Sequence, residues 1–188
     1  MSIPDIQMLS NLTTGLIVIV DQSGRHTIET VARLLRMRSH NNLEGKIYLV
    51  GDSLKPEDIW PEPRDAVAQG KETGTLIMRQ NFILDLAQKM KADVYVITRL
   101  RDEREFVSCL ELAMCGHLII VAARAKNCGD FITSISDHIG RLGDISMLAA
   151  LHSIIGGVIE IMPEQAEGKP KSISYNIYLP SDLTPLIS

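Results

Sequence analysis

The sequence predicts an α/β domain whose mostly parallel sheet is covered by helices on both faces, and three observations predict it. Short runs of Ile, Val and Leu, apolar at consecutive positions, alternate with segments in which apolar residues recur every three or four positions. Consecutive apolarity means burial on both faces, which is the condition of a parallel strand under two helical layers. Near the C-terminus two apolar segments flank the loop 163–170 and read as an antiparallel hairpin on the sheet's edge.

Taken in order, residues 15–20 supply the first strand, 46–50 the second, 93–98 the third and 117–123 the fourth. Between and after them come helical stripes: Ile28, Val31 and Leu35; Phe106, Leu110, Ala113 and Met114; Ile132, Ile135 and Ile139; and Ile145, Leu148, Leu151 and Ile155. The stretch 51–73 breaks the alternation with Pro56, Pro61, Pro63 and several charges, and reads as a surface excursion. Segments 157–161 and 172–179 make the hairpin.

Bulk properties narrow the function classes. A chain of 188 residues, 45% apolar and 22% charged, is expected to form one domain over residues 1–188. Net charge is −4 with no cluster of Lys and Arg, which argues against nucleic acid as a partner. No apolar run approaches the roughly 20 residues of a membrane span, and no secretory signal is expected from residues 1–5. Cys109, Cys115 and Cys128 form no CxxC pair and suit a reducing cytosol, so a cytoplasmic protein is expected. Cys109 and Cys115 are expected to pack as small hydrophobes on one helix. The histidines show no metal-ligand spacing, and no metal is expected.

Three constellations bear on chemistry. Asp21 is followed by Gln22, Ser23, Gly24, Arg25, His26, Thr27 and Ile28, directly after a strand and opening a helix. A phosphate-binding loop stands at such a place, with glycines that let N–H groups close on phosphate, a Lys, and a hydroxyl for magnesium. Only Gly24 meets that pattern, and read by itself the segment is a strand-to-helix turn. Arg99 follows the third strand, where a hydrolase wants a carboxylate, and the next helix begins near Arg101 with Asp102 and Glu103 favoured in its first turn. The fourth strand carries His117 at one end, read as a hydrogen-bonded core histidine, and Arg124 at the other, suited to an anion, a neighbouring subunit or a surface ion pair.

In their order and spacing these segments resemble the RecA-like domain of the PilT/GspE-type ATPases of type IV pili and type II secretion. Residues 15–20 are similar to the strand before that family's phosphate loop, and 46–53 to its aspartate box with Asp52 as the aspartate. Residues 92–102 are similar to its Walker B strand and the charged pair after it, here Arg101 and Asp102. Cys115-Gly116-His117-Leu118 is the most specific match, to a Thr-Gly-His-Leu signature. The later strand at 156–161 and the ending 183–187 extend the resemblance over roughly residues 10–188. No counterpart of the family's PAS-like domain, or of the helical tail after its hairpin, is expected.

By the same resemblance the catalytic set has changed. His26 stands for the loop's last glycine, Thr27 for its Lys, Ile28 for its hydroxyl, Arg99 for the Walker B glutamate, Arg124 for the second histidine of the His box, and Gly51 for the glutamate before Asp52. Loss of one preorganised transition-state contact costs about 3–4 kcal/mol, or about a thousandfold in rate, although losses within one catalytic unit do not add. The resemblance therefore implies a degenerate ATPase with no catalytic residue and no cofactor. It would serve as an interaction or regulatory subunit beside secretion or pilus proteins, an active paralogous ATPase or a second copy of itself, in the cytoplasm or peripheral to the inner membrane. The alternatives are a nucleotide-binding regulator using Arg25, Arg99 and Arg124, a weak ATPase, or unrelated chemistry on the same scaffold.

Overall fold

The structure, a computed structural model, describes residues 3–41, 45–50, 67–69, 92–162 and 173–187. Its strands are β1 (Gly15–Asp21), β2 (Ile47–Val50), β3 (Val67–Gln69), β4 (Val94–Ile97), β5 (Leu118–Ala123), β6 (Ile155–Met162) and β7 (Ser174–Tyr178). They lie in the order β3-β2-β4-β5-β1-β6-β7. All neighbours are parallel except β6 and β7, which pair antiparallel with Ile159 opposite Ile177. The expected hairpin is therefore present at the edge, and its inner strand also pairs parallel with β1. The short β3 stands inside the stretch read as a surface excursion; the rest of 51–73, Asp52 included, and the loop 163–170 lie outside the described residues.

Strand β1 lies inside the sheet, between β5 and β6, because it is apolar from Leu16 to Val20; every residue from Leu16 to Asp21 is buried, the charged Asp21 included. Alternation divides its side chains, with Leu16, Val18 and Val20 on one face and Ile17 and Ile19 on the other. Among the described residues, helices α1 (Ile3–Ser10) and α2 (Thr27–His40) cover the second face with Leu9, Val31, Leu34 and Leu35. The first is covered by α3 (Glu103–Met114), α4 (Cys128–Leu142), α5 (Ile145–Ile154) and α6 (Pro180–Ile187), contributing Phe106, Ile132, Leu151 and Leu183. The result is the expected three-layer arrangement.

Caps fix where the helices start, and so what stands at the strand ends. Asp102 Oδ1 accepts from the N–H groups of Arg104 and Glu105, both at 3.0 Å, so Asp102 caps α3 and does not enter its first turn. Asn127 accepts from Asp130 N–H at 2.7 Å to open α4, and Gly143 closes it with φ 73°.

Several expected faces need correction. Met114 is 49% exposed, because α3 turns its Phe106, Cys109, Leu110 and Ala113 inward and ends there. Cys115 is exposed at the C-cap of α3, while Cys109 is buried as expected. Ile145 is 82% exposed and Ile155 is the first residue of β6, so Met147 and Leu151 carry the inward face of α5. That helix is apolar on most sides and offers more than one stripe. A helix also follows the hairpin, contrary to expectation: α6 starts with Pro180, and Asp182 accepts from Leu179 N–H at 2.8 Å.

Helix α1 had no periodic signal strong enough to be read. It docks against β6 where glycines leave room: a Cβ at Gly157 would stand 2.5 Å from Leu9 Cδ2, and one at Gly156 2.5 Å from Leu12 Cδ1. The carbonyls at its end and just past it are held by Arg38 of α2, 5% exposed, whose guanidinium donates to Ser10 O at 3.1 Å and to Leu12 O. Among the described residues, no helix is long and apolar enough to cross a membrane.

Candidate functional site

In an open parallel sheet the loops after the strands gather at one edge, and ligands bind there. In this chain the carboxyl edge collects the turns after β1, β4 and β5, and with them Asp21, Gly24, Arg99 and Arg124. His117 is not among them. It sits at the opposite edge, at the start of β5, where Nδ1 shares a hydrogen bond with Ala92 O at 2.9 Å and the ring stands edge-on to Tyr95 at 5.4 Å. The hydrogen bond expected of His117 is present, but the residue is half-buried at the strand's start and not part of the core.

The turn after β1 is organised by Asp21, a residue in the motif to which sequence reading gave no role. Asp21 is buried, and its carboxylate points into the turn. Oδ1 accepts from Ser23 N–H at 3.0 Å and from Ser23 Oγ at 2.8 Å; Oδ2 accepts from His26 N–H at 2.9 Å and from Thr27 Oγ1 at 3.1 Å. Burial pushes this carboxyl up, but the hydrogen bonds from Ser23, His26, Gly24 and Thr27 outweigh it and hold it below the ordinary carboxylate range. The legible signal was the Asp-x-Ser spacing, which favours a turn closed by the aspartate side chain.

These donors are the groups with which a phosphate-binding loop grips its ligand: backbone N–H groups and hydroxyls at a helix N-terminus. In this chain the anion is supplied from within. Ile28, at the place of the magnesium-binding hydroxyl, is half-buried and packs against the α2 side of the core. With the turn's donors taken by Asp21, and with Thr27 and Ile28 where the resemblance expects a Lys and a metal-binding hydroxyl, the residues present do not fit a magnesium triphosphate. Among the described residues no three His, Cys, Asp or Glu side chains converge as a metal site would. Arg25 is exposed on the rim, its N–H donating to Ser23 Oγ at 3.1 Å.

Arg124 closes the turn from outside. A Cβ on Gly24 would stand 2.6 Å from its Nη2 and 2.8 Å from its Nε, so the guanidinium lies across the bare face of the glycine, whose φ is +68°. Gly24→Ala is expected to cost about 1–2 kcal/mol for the left-handed backbone, plus the displacement of the guanidinium. In a Gly24→Ala/Arg124→Ala chain only the backbone part should remain. A denaturant cycle over the four proteins measures the difference, and equal costs with and without Arg124 would place the guanidinium elsewhere.

Beyond Arg124 a cleft of about 360 Å³ opens between the ends of β4 and β5 and the starts of α3 and α4, with Arg99, Arg101 and Arg124 on its wall. Arg101 is engaged: its guanidinium is 3.8 Å from the buried Glu105, and its N–H donates to Glu105 Oε2 at 2.7 Å. A second buried acid, Glu160 of β6, accepts from Tyr178 Oη at 2.8 Å and from Cys128 N–H at 3.4 Å. Burial and the neighbouring Glu160 push the Cys128 thiol up to about 12, so it is no nucleophile.

No family model matches the sequence, and no curated protein matches it. Solved structures do. The pilus retraction motor PilT, solved with bound ADP, superposes with a TM-score of 0.73 at 18% identity, over 97% of this chain and 52% of PilT. The DotB ATPase of Legionella pneumophila gives 0.75 at 15% identity, over 99% of this chain and 55% of DotB. The VirB11 ATPase of the Brucella suis type IV secretion system, solved with sulphate, gives 0.66 at 14% identity, over 96% of this chain and 53% of VirB11. The fold is that of the RecA-like secretion ATPases. At such identities the likeness concerns fold, and this RecA-like chain spans about half the length of the proteins it matches. In the strand order β1 lies between β5 and β6, so the turn after β1 stands inside the carboxyl edge and not at its end.

Proposed function

We propose that the chain is a non-catalytic relative of the PilT-like secretion ATPases, acting as an interaction or regulatory subunit of a bacterial pilus or secretion machine on the cytoplasmic side of the membrane. One observation carries this reading. The Asp21 carboxylate occupies the cradle at the start of α2, accepting four hydrogen bonds that a phosphate would otherwise take. A triphosphate would have to expel a buried carboxylate and then lie beside it, charge against charge, with no Lys to offset the repulsion. Conserving the RecA-like scaffold while filling its ligand cradle is what an interaction module requires. The fold supports the class of machine, because PilT, DotB and VirB11 are its structural neighbours.

Phosphate release from magnesium ATP, followed with and without the protein, tests the reading. The two rates should coincide. Turnover of about 1 per second, in the ordinary range of enzymes, would end it. The second reading, a nucleotide-binding regulator, draws support from Arg124 lying over Gly24. It requires ATP or ADP to raise the thermal midpoint by mass action, and the absence of a shift at saturating nucleotide would remove it.

A further inference from the structure

We propose that the cleft between β4, β5, α3 and α4 receives a carboxylate side chain from an acidic, otherwise apolar segment of a partner protein, gripped by Arg99 and Arg124. The proposal rests on the interaction-subunit reading and names the chemistry of its partner.

The argument is one of charge accounting in the cleft. Its wall carries three arginines and three carboxylates: Asp102, Glu103 and Asp130. Most of these charges are already committed within the chain. Asp102 caps α3 through Arg104 and Glu105 N–H, Glu103 accepts from Ser134 Oγ at 2.9 Å, and Arg101 faces Glu105. Arg99 and Arg124 are exposed, and neither makes a hydrogen bond or ion pair with a described residue. Arg99, and Arg124 whose guanidinium lies on Gly24 without a hydrogen bond, remain against the single carboxylate of Asp130, in the first turn of α4.

The floor between them is apolar, made by Leu100, Ala123, Phe131 and Ile135. An occupant that satisfies both halves bears one negative charge on an apolar body. A guanidinium binds a carboxylate by two parallel hydrogen bonds, and two such groups can share one. A polyphosphate suits the cleft poorly, since its several charges would meet Asp102, Glu103 and Asp130 at close range. A segment with Glu or Asp between apolar residues meets both demands, and the cleft volume of about 360 Å³ matches one acidic side chain with an apolar neighbour. Arg at the centre of a contact is also the residue type that most often carries binding energy between proteins.

Nuclear magnetic resonance titration of the full chain tests this with the capped tripeptide Leu-Glu-Leu, its Leu-Gln-Leu counterpart, and inorganic phosphate. The Glu peptide should shift the Arg99 and Arg124 Nε–H signals and the amides around Phe131 in a saturable way, and the Gln peptide should bind at least about tenfold more weakly. Arg99→Ala and Arg124→Ala, both at exposed positions, should each weaken the Glu peptide by about tenfold or more while leaving the spectrum of β6 and β7 unchanged. Absence of saturable shifts, equal binding of the two peptides, or binding that survives both substitutions would overturn the proposal. So would phosphate binding tighter than the Glu peptide at the same residues. Phosphate release from ATP, assayed on the same samples, separates the two failures: turnover would end the non-catalytic reading whatever the peptides do.

Discussion

Replacing Asp21 by Ala should lower the thermal midpoint by about 6–12 °C, the equivalent of roughly 3 kcal/mol in a domain of this size. The magnitude comes from the four hydrogen bonds that converge on its carboxylate. Each contributes about 1 kcal/mol net, offset in part by relief of the buried carboxylate's own desolvation when it is removed. Asp21→Asn should fall between the wild type and Asp21→Ala, because one carboxylate oxygen becomes an NH₂ that cannot accept. Two signatures distinguish this from ordinary loss of packing. The first is pH. The folded chain holds the Asp21 carboxyl below its ordinary range, so its contribution is complete above that range and drains away as pH falls toward the depressed folded value. Asp21→Asn should lack that part of the acid limb. The second is ligand rescue. With the internal anion removed, inorganic phosphate should raise the midpoint of Asp21→Ala more than that of the wild type. Equal shifts in the two proteins would mean that the emptied turn is not an anion cradle.

Arg38→Ala should be nearly as costly, about 3 kcal/mol, and should act on a different part of the molecule. The Arg38 guanidinium donates to the carbonyl of Ser10, which ends α1 and has no helical partner of its own, and to that of Leu12 just beyond the helix. Hydrogen bonds from a charged donor are each about 1.5–3 kcal/mol, offset in part by relief of the buried cation's own desolvation, which lowers its pKa. Arg38→Met keeps the stem and should recover the packing share. Hydrogen exchange localises the effect: amides of α1 should lose protection in Arg38→Ala while those of β1 and β5 keep theirs. Uniform loss across the sheet would mean that Arg38 supports the core as a whole and that α1 is no separable unit.

Most of the strands were legible because they follow one rule. A strand covered by helices on both faces is apolar along its length, as β4, β5 and β1 up to Val20 are, whereas the three-residue β3 was passed over. Helix faces were less secure where composition was ambiguous. In α5 almost any stripe is apolar, so periodicity named Ile145, which is exposed, and passed over Met147, which is buried. Arg38 was invisible for a different reason: a cation in the last turn of a helix reads as a solvated end, and only the third dimension brings the carbonyls of α1 beneath it.

The site divides in the same way. Substitutions at Thr27, Ile28 and Arg99 could be read against the family pattern, and the structure places Thr27 and Ile28 within the turn and its packing and Arg99 on the neighbouring cleft. What fills the turn could not be read from a list of missing groups. Asp21 is one residue before the glycine-bearing segment, and an aspartate at a strand end suggests a cap or a surface charge. That its carboxylate folds back to collect Ser23, His26 and Thr27 follows from the turn's three-dimensional path, which Gly24 with φ +68° permits. Likewise, Arg99 and Arg124 are 25 positions apart in the chain and share one cleft only because β4 and β5 are adjacent and parallel.

Calorimetric titration of the wild-type chain with magnesium ATP is the most direct test of the claim that its own carboxylate stands where a nucleotide's phosphates would have to lie. The prediction is no saturable heat up to about 1 mM, a ceiling of roughly −4 kcal/mol on any binding. One-site, magnesium-dependent binding in the micromolar range would contradict it.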